Sequence, residues 1–335
     1  MDISQINTCP AILAPGFNTY SPIGLKRVFE GRKVSHILDY DAPGKNEDES
    51  EIFLENRKRL SISGVQEKMS FILDGRILRL TKPEERGSYI LKPIPRDVRN
   101  VKEVPANEHL TMQIARQIYG IQTAENALVF FRTGEPAYIT KRFDLRPDGL
   151  KWRKEDFASL AGRSKENAGT NFKYEGSYEE IAALIRKYVS AWRIEIEKFF
   201  AIVVFNFMFS NGDAHLKNFG LLETEQGDFI LSPAYDLMNT RMHVNDTDFA
   251  LRNGLFADGS KSILWQRTGM PVKADFIKFG LSIGIQPKRI EKMLNLFIFR
   301  QEQVVTLIQN SYLSKQMKQS YLNYYFKKNN HLKRY

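Results

Sequence analysis

Ser210-Asn-Gly-Asp-Ala-His-Leu-Lys-Asn-Phe-Gly220, followed by Pro233-Ala-Tyr-Asp-Leu237, decides how the rest of the chain is read. Asp213 and Asn218 share one short loop, and Asp236 stands on a second. That spacing suits phosphoryl transfer from Mg-ATP: one aspartate orients an acceptor hydroxyl, an asparagine on the same loop holds a metal, and a later aspartate bridges metal to phosphate. Asn-Gly-Asp is also ordinary turn chemistry, since Asn and Gly tolerate positive φ and Asp caps the next few backbone amides. The preceding segment tips the balance. Residues 197–209 are apolar nearly all round, as a buried helix is, and a polar loop leaves that helix with no evident solvent role. Downstream, residues 219–222 and 228–232 read as a short hairpin, with the two acidic loops at its opposite ends and close in space.

Toward the N-terminus the pattern changes to strands. Residues 69–73 and 76–80 are apolar runs joined by Asp74-Gly75, a strong hairpin signal, and a third strand covers 88–93. A helix starts near Pro105 and closes at Gly120, whose freedom at positive φ suits a C-terminal cap. Strands at 127–131 and 136–143 come next. Past Asp144 the reading is helical, near 154–162, 177–187, 191–209 and 273–284, with two or more helices over 287–327. Strands early and helices late predict an α+β, two-lobed protein-kinase-like fold, with a small antiparallel β-rich N-terminal lobe over 1–143 and a larger helical C-terminal catalytic lobe over 144–335. The first sixty or so residues are mixed, with a turn-rich Ala14-Pro-Gly-Phe-Asn18 and an acidic stretch over 39–51 that reads as a mobile loop. No internal repeat or low-complexity tract interrupts the chain.

At 335 residues and 38.8 kDa the chain is too long for one typical core and suits two lobes. Cys9 is the sole cysteine, which excludes an internal disulfide and points to a reducing compartment. The N-terminal residues lack a basic region followed by an apolar one, and the longest apolar run falls short of a membrane span, so a soluble, cytoplasmic protein is expected. The net charge of +10 invites a nucleic-acid reading, although much of it lies in Lys327–Tyr335 and Glu55–Arg59, runs that most often form solvated faces or tails.

Other residues fit the phosphoryl-transfer reading. Lys92 lies on the third strand and Glu108 near the start of the helix after it, so an ammonium fixed by a helix carboxylate can hold the α- and β-phosphates of ATP. Ser61-Ile-Ser-Gly-Val-Gln-Glu-Lys68 lacks a G-x-G-x-x-G pattern and can be a simple loop. Its small residues would also let the backbone of Ser63, Gly64, Val65 and Gln66 approach phosphate, with help from Lys68. Thr140-Lys-Arg-Phe-Asp144 marks the passage from sheet to helices, where Lys141 and Phe143 can flank an adenine ring or serve as packing. His215 has no H-x-x-x-H or H-E-x-x-H partner, which speaks against zinc and for a histidine that braces its loop by hydrogen bonding. With Lys217, it belongs to the expected nucleotide-binding set.

Together these strings resemble the HipA family of bacterial serine/threonine kinases, the toxins of toxin–antitoxin modules. The matching pieces are Ser61-Ile-Ser-Gly-Val-Gln-Glu-Lys68, Ile90-Leu-Lys-Pro93, Asn107-Glu108, Lys141-Arg-Phe-Asp144, Glu155-Asp-Phe157, Lys173-Tyr-Glu175, Asn211-Gly-Asp-Ala-His-Leu-Lys-Asn-Phe219 and Pro233-Ala-Tyr-Asp236, in order along the chain. The resemblance implies that Asp213 is the catalytic aspartate, Asn218 and Asp236 the Mg2+ ligands, and Lys92 the phosphate-binding lysine. Ser61 and Ser63 would lie in a loop that such kinases phosphorylate on themselves, and the added charge would eject that loop from the ATP site. Family substrates are aminoacyl-tRNA synthetases, glutamyl or tryptophanyl, whose inactivation halts translation and promotes persistence. The family antitoxin is a helix-turn-helix DNA-binding protein. Full-length HipA carries an extra small N-terminal subdomain, whereas here the serine loop already begins at Ser61, so the chain resembles the shorter HipT type, in which a separate small HipS-like protein supplies that piece. Unlike eukaryotic-type kinases, it has no H-R-D, D-F-G or A-P-E.

Two other functions compete. A small-molecule phosphotransferase of the aminoglycoside or choline type shares the D-x-x-x-x-N logic, but such enzymes line their clefts with acidic residues and this C-terminal half is basic. A non-catalytic DNA- or protein-binding module with a kinase shape would not need Lys92, Asp213, Asn218 and Asp236 together.

Overall fold

The computed structural model describes residues 6–43, 67–96 and 98–334. Ser61, Ser63, Gly64, Val65 and Gln66, and most of the acidic stretch read as a mobile loop, lie outside the described residues. The chain forms two compact units, each discontinuous in sequence. One takes Met1–Gln113, Ala124–Phe143 and Val305–Gln319; the other takes Ile114–Thr123, Asp144–Val304 and Ser320–Tyr335. Among the described residues no helix is long and apolar enough to cross a membrane.

The first unit is built on one antiparallel sheet. Strands β1 (Met69–Asp74), β2 (Ile77–Leu80), β3 (Tyr89–Lys92), β4 (Asn126–Phe130) and β5 (Pro136–Lys141) lie in the order β2-β1-β3-β5-β4. Asp74 pairs with Ile77, so the turn residues are Gly75 and Arg76, and Gly75 takes the positive φ that such a tight turn requires. Helix α1 (Pro22–Phe29) was not anticipated from the sequence. Its signals are nonetheless there: Ser21 caps it by accepting the Gly24 N–H at 3.1 Å, and Pro22 opens it with a pre-set φ. Val28 and Phe29 of α1 join Phe71, Leu91, Ala127 and Ile139 in the core of the sheet. The Tyr89 hydroxyl donates to the Val28 carbonyl at 2.8 Å, which fixes helix to strand. Cys9 is fully buried in the same core, its Sγ 3.3 Å from Ser21 Oγ. Helix α2 (Val104–Gln117) is tied to β4 by the Gln113 side-chain amide, which donates to Asn126 Oδ1 at 2.9 Å.

The second unit is helical around a small sheet. Its strands β6 (Lys154–Asp156), β7 (Gly220–Glu223) and β8 (Phe229–Leu231) pair in that order, beside helices α3 (Tyr178–Tyr188), α4 (Trp192–Met208), α5 (Ile263–Thr268), α6 (Lys273–Ser282) and α7 (Pro287–Phe299). Two expectations need correction. Residues 154–162 are not one helix, because Lys154–Asp156 pairs with β7 as far as Asp156 opposite Gly220, and only the turn Phe157–Leu160 is helical. Asp156 makes the switch by accepting the Ser159 N–H at 2.9 Å as an N-cap. The two acidic loops also leave the β7–β8 hairpin at the same end, not at opposite ends. Antiparallel pairing puts the start of β7 beside the finish of β8, and the Ser232 N–H donates to the Gly220 carbonyl at 2.8 Å.

Helix α4 is buried nearly all round, as its composition predicts, with Phe199, Phe200, Val203, Val204, Phe205 and Phe207 all inside. Glu195 is the exception in kind. It is 2% exposed, accepts the Leu231 N–H at 3.0 Å and is paired with Lys198 at 2.8 Å. A buried carboxylate needs such partners, and here they dock β8, the strand leading to Asp236, on the helix leading to Asp213.

Candidate functional site

The loop after α4 is held from all sides. Ser210 takes φ +53°, a left-handed conformation uncommon for a non-glycine residue. Thr240 secures the bend: its hydroxyl accepts the Gly212 N–H at 2.9 Å and donates to the Ser210 carbonyl at 3.2 Å. The Asn211 side chain donates to Asn206 Oδ1 at 2.9 Å, and the buried Tyr178 hydroxyl donates to the Ala214 carbonyl at 2.9 Å. Gly212 is a glycine for space and not for φ. A Cβ there would stand 2.5 Å from the Thr247 carbonyl oxygen and 2.6 Å from Asp246 Cβ.

Asp213 is open to solvent but crowded by neighbouring protein atoms. That crowding raises its pKa above the ordinary aspartate value; the Tyr174 hydroxyl, donating to Oδ1 at 2.8 Å, and the Lys173 ammonium pull it back, while Asp246 and Asp236 push it up. Tyr174 also sets its ring edge-on to His215, with centroids 5.2 Å apart. Hydrogen bonds at His215 come from its backbone: the N–H donates to the Asp213 carbonyl at 2.8 Å and to Asn218 Oδ1 at 3.1 Å, and its carbonyl accepts the Asn218 N–H at 2.9 Å. Ring Nδ1 is buried with no hydrogen-bond partner, and burial lowers the pKa to about 3, so the imidazole is neutral.

Asn218 Nδ2 stands 3.4 Å from Asp236 Oδ2, which brings the two expected metal ligands together. Asp236 itself has φ +57°, a second left-handed non-glycine residue, of the kind that clusters at functional sites. The Tyr235 hydroxyl donates to the Lys217 carbonyl at 2.8 Å and locks one loop onto the other. The Lys217 ammonium lies 3.8 Å from Asp156 and 5.8 Å from the centre of the Phe172 ring. Among the described residues no three His, Cys, Asp or Glu side chains gather as a metal cage. A carboxamide and a carboxylate are side chains of the kind Mg2+ takes, filling its shell from water and phosphate; here Asn218 turns its amide nitrogen to Asp236 and its oxygen to the His215 N–H, so Mg2+ would be held through the remaining lone pair of that oxygen or after the carboxamide turns.

In the first unit Lys92 and Glu108 meet at 2.6 Å with both side chains 4% exposed. The ammonium also lies 5.4 Å from the centre of the Tyr138 ring, on the strand paired with β3. Lys68 and Lys92 flank the Met69–Leu91 pair on adjacent strands. Lys141 is turned to another use: its ammonium pairs with Glu30 at 2.8 Å, and its N–H donates to the Glu125 carbonyl at 2.7 Å. The Arg142 N–H likewise donates to the Ser88 carbonyl at 2.9 Å. Phe143 is half-buried at the end of the segment that β5 opens.

Tyr174, Tyr178, Thr240, Asp246 and Glu195 complete the surroundings of the loop and were not singled out from the sequence. Lys173-Tyr-Glu175 was among the matching strings, but only the fold shows that its tyrosine reaches Asp213.

Comparison with known proteins bears on the family and the fold. Residues 60–305 match the family profile described as HipA-like C-terminal domain. The sequence is 25% identical over 331 residues to a Haemophilus influenzae protein named "Putative kinase", covering 92% of each chain. It is 34% identical over 228 residues to "Putative kinase Y4dM" of Sinorhizobium fredii, covering 64% of this chain and 53% of that relative. Its fold is similar to Shewanella oneidensis HipA, solved in complex with HipB and operator DNA, with a TM-score of 0.65 at 18% identity over 89% of this chain and 74% of that one. It is also similar to the Helicobacter pylori proinflammatory kinase CtkA, with a TM-score of 0.50 at 15% identity over 76% of this chain and 90% of that one. The α+β, kinase-like fold expected from the sequence is the fold of the chain.

Proposed function

The chain belongs to the HipA-like C-terminal domain family, and from that premise we propose that it is an ATP-dependent protein serine/threonine kinase. The observation that carries the reading is Asp213: its carboxylate already holds a hydroxyl donor at 2.8 Å, on the loop whose Asn218 faces Asp236. In the transfer, a serine or threonine hydroxyl oxygen attacks the γ-phosphorus, the new O–P bond forms as the bond to the β-phosphate oxygen breaks, and ADP leaves. Asp213 orients the hydroxyl and takes its proton. Lys92, steadied by Glu108, holds the α- and β-phosphates, while Asn218 and Asp236 hold the metal. Mg2+, when bound, neutralises phosphate charge that grows in the transition state. Lys217 and the neutral His215, with Ser63, Gly64, Val65, Gln66, Lys68, Lys141 and Phe143, complete the proposed nucleotide-binding set.

The finer reading is a toxin of a bacterial toxin–antitoxin module that phosphorylates an aminoacyl-tRNA synthetase, glutamyl or tryptophanyl, in the cytoplasm, with autophosphorylation at Ser61 and Ser63. Its antitoxin is a helix-turn-helix DNA-binding protein, assisted by a small HipS-like protein if the chain is of the shorter type. Supporting this is the fold shared with a HipA solved beside HipB and its operator DNA. Peptide mass spectrometry of the purified protein with Mg-ATP, beside Asp213→Asn, tests it. Phosphate on Ser61 or Ser63 of the wild type alone, lost with EDTA and restored by Mg2+, is the expected result. If no residue gains phosphate and no protein of a bacterial extract is labelled, the kinase reading fails.

A further inference from the structure

A kinase has to keep water from acting as its acceptor, and the arrangement around Asp213 contains a group placed for that purpose. The Tyr174 hydroxyl donates to Asp213 Oδ1 at 2.8 Å, the same O–H to carboxylate hydrogen bond that an acceptor serine or threonine makes with its catalytic base. We propose that Tyr174 occupies the acceptor position at Asp213 Oδ1 in the resting molecule, keeps water from that one oxygen, and yields only to a substrate hydroxyl, so that it sets the discrimination between protein and water as phosphoryl acceptors. This rests on the kinase reading given above and concerns the same carboxylate.

Three observations support it. Tyr174 lies in the single turn Phe172–Tyr174, between Gly169 at φ +73° and Gly176 at φ +94°, so the segment is bounded by two joints that other residues would strain. Space for the ring to retreat is present: Tyr174 lines a groove of about 910 Å³ together with Asp246, Arg241, Arg252 and Trp265. In its resting place the ring stands against His215, and the backbone behind it is held by the Arg252 N–H, which donates to the Tyr174 carbonyl at 2.8 Å. Neither contact involves the hydroxyl, so both survive its loss.

The test is Tyr174→Phe, which keeps the ring against His215 and removes one oxygen. The gap left beside Asp213 is close to the size of one water molecule, which would then sit where the hydroxyl was and accept the phosphoryl group. ADP release from Mg-ATP without any protein acceptor is measured for wild type, Tyr174→Phe, Asp213→Asn and the double variant. The expected result is a rise on the order of tenfold in Tyr174→Phe, the factor matching one charge-assisted hydrogen bond, and no rise when Asp213 is also replaced. A tyrosine that merely steadies Asp213 predicts the reverse, a fall. Hydrolysis that is unchanged or lower in Tyr174→Phe, while the wild type still labels itself or an extract, overturns the proposal and leaves the kinase reading standing. Absence of both hydrolysis and labelling in every form overturns the two together.

Discussion

Asp213 works at the scale of a single carboxylate, and its surroundings fix how it should respond to pH. Crowding raises its pKa above the usual aspartate value, so on acidification the proton returns at a higher pH than it would to a free aspartate. The protonated form cannot take the acceptor proton. On the proposed role, the acid limb of the pH–rate profile is therefore expected at a higher pH than an ordinary aspartate gives, and Asp213→Asn is expected to lower kcat by about 10²- to 10⁴-fold with ATP affinity nearly unchanged, as measured by steady-state kinetics and calorimetric titration. Lys92 and Glu108 make a different prediction. Both are buried, so Glu108→Ala removes the carboxylate from a buried ammonium, and a loss of about 3–5 kcal/mol is expected in urea unfolding, against a smaller loss for Glu108→Gln. These residues were legible in the sequence because their chemistry is tied to residue type and spacing. Tyr174 was not: a tyrosine beside a lysine carries no mark of what it touches, and Asp213 lies far from it along the chain.

Gly212 belongs to the element scale, because it decides how closely the loop carrying Asp213 can approach the segment carrying Asp246 and Thr247. Its neighbours are a backbone carbonyl and a Cβ, neither of which can swing aside. Gly212→Ala should therefore shift the loop, with a stability loss of about 1–3 kcal/mol by thermal unfolding and a fall in kcat of about 10²-fold, as expected for a displacement near one ångström. The sequence reading assigned this glycine to turn conformation, whereas the positive φ falls on Ser210. Propensity identifies a turn but not which residue is crowded by distant backbone. The same limit explains β6: Lys154-Glu-Asp156 has no strand pattern of its own and is a strand because β7 offers it an edge. Helix α4, by contrast, was legible from composition alone, since a segment so apolar has nowhere to lie except inside.

Over the whole molecule, chain order and compact units do not coincide. Val305–Gln319 belongs with the β-rich unit, where the Tyr312 ring packs on Phe130 at 5.7 Å between centroids and its hydroxyl donates to the Thr8 carbonyl. A fragment of residues 1–143 lacks that piece, and it is expected to unfold with a broad, weakly cooperative transition by circular dichroism, sharpening when a peptide of residues 305–319 is added. Sequence patterning could not have revealed this, because the segment joins the end of one helix to the start of another and nothing in it marks Phe130 and Thr8 as the neighbours of Tyr312. Cys9 offers a way to follow the same unit. It is the chain's single thiol and is fully shielded in the core of the sheet, with Ser21 beside it. A thiol-specific chromophore can reach it only during an opening of that core, so the labelling rate in native buffer is a clock for such openings. With no other thiol to contribute signal, the protein carries its own reporter of local unfolding, free of engineered probes, and slower labelling on adding nucleotide would register binding without reference to catalysis.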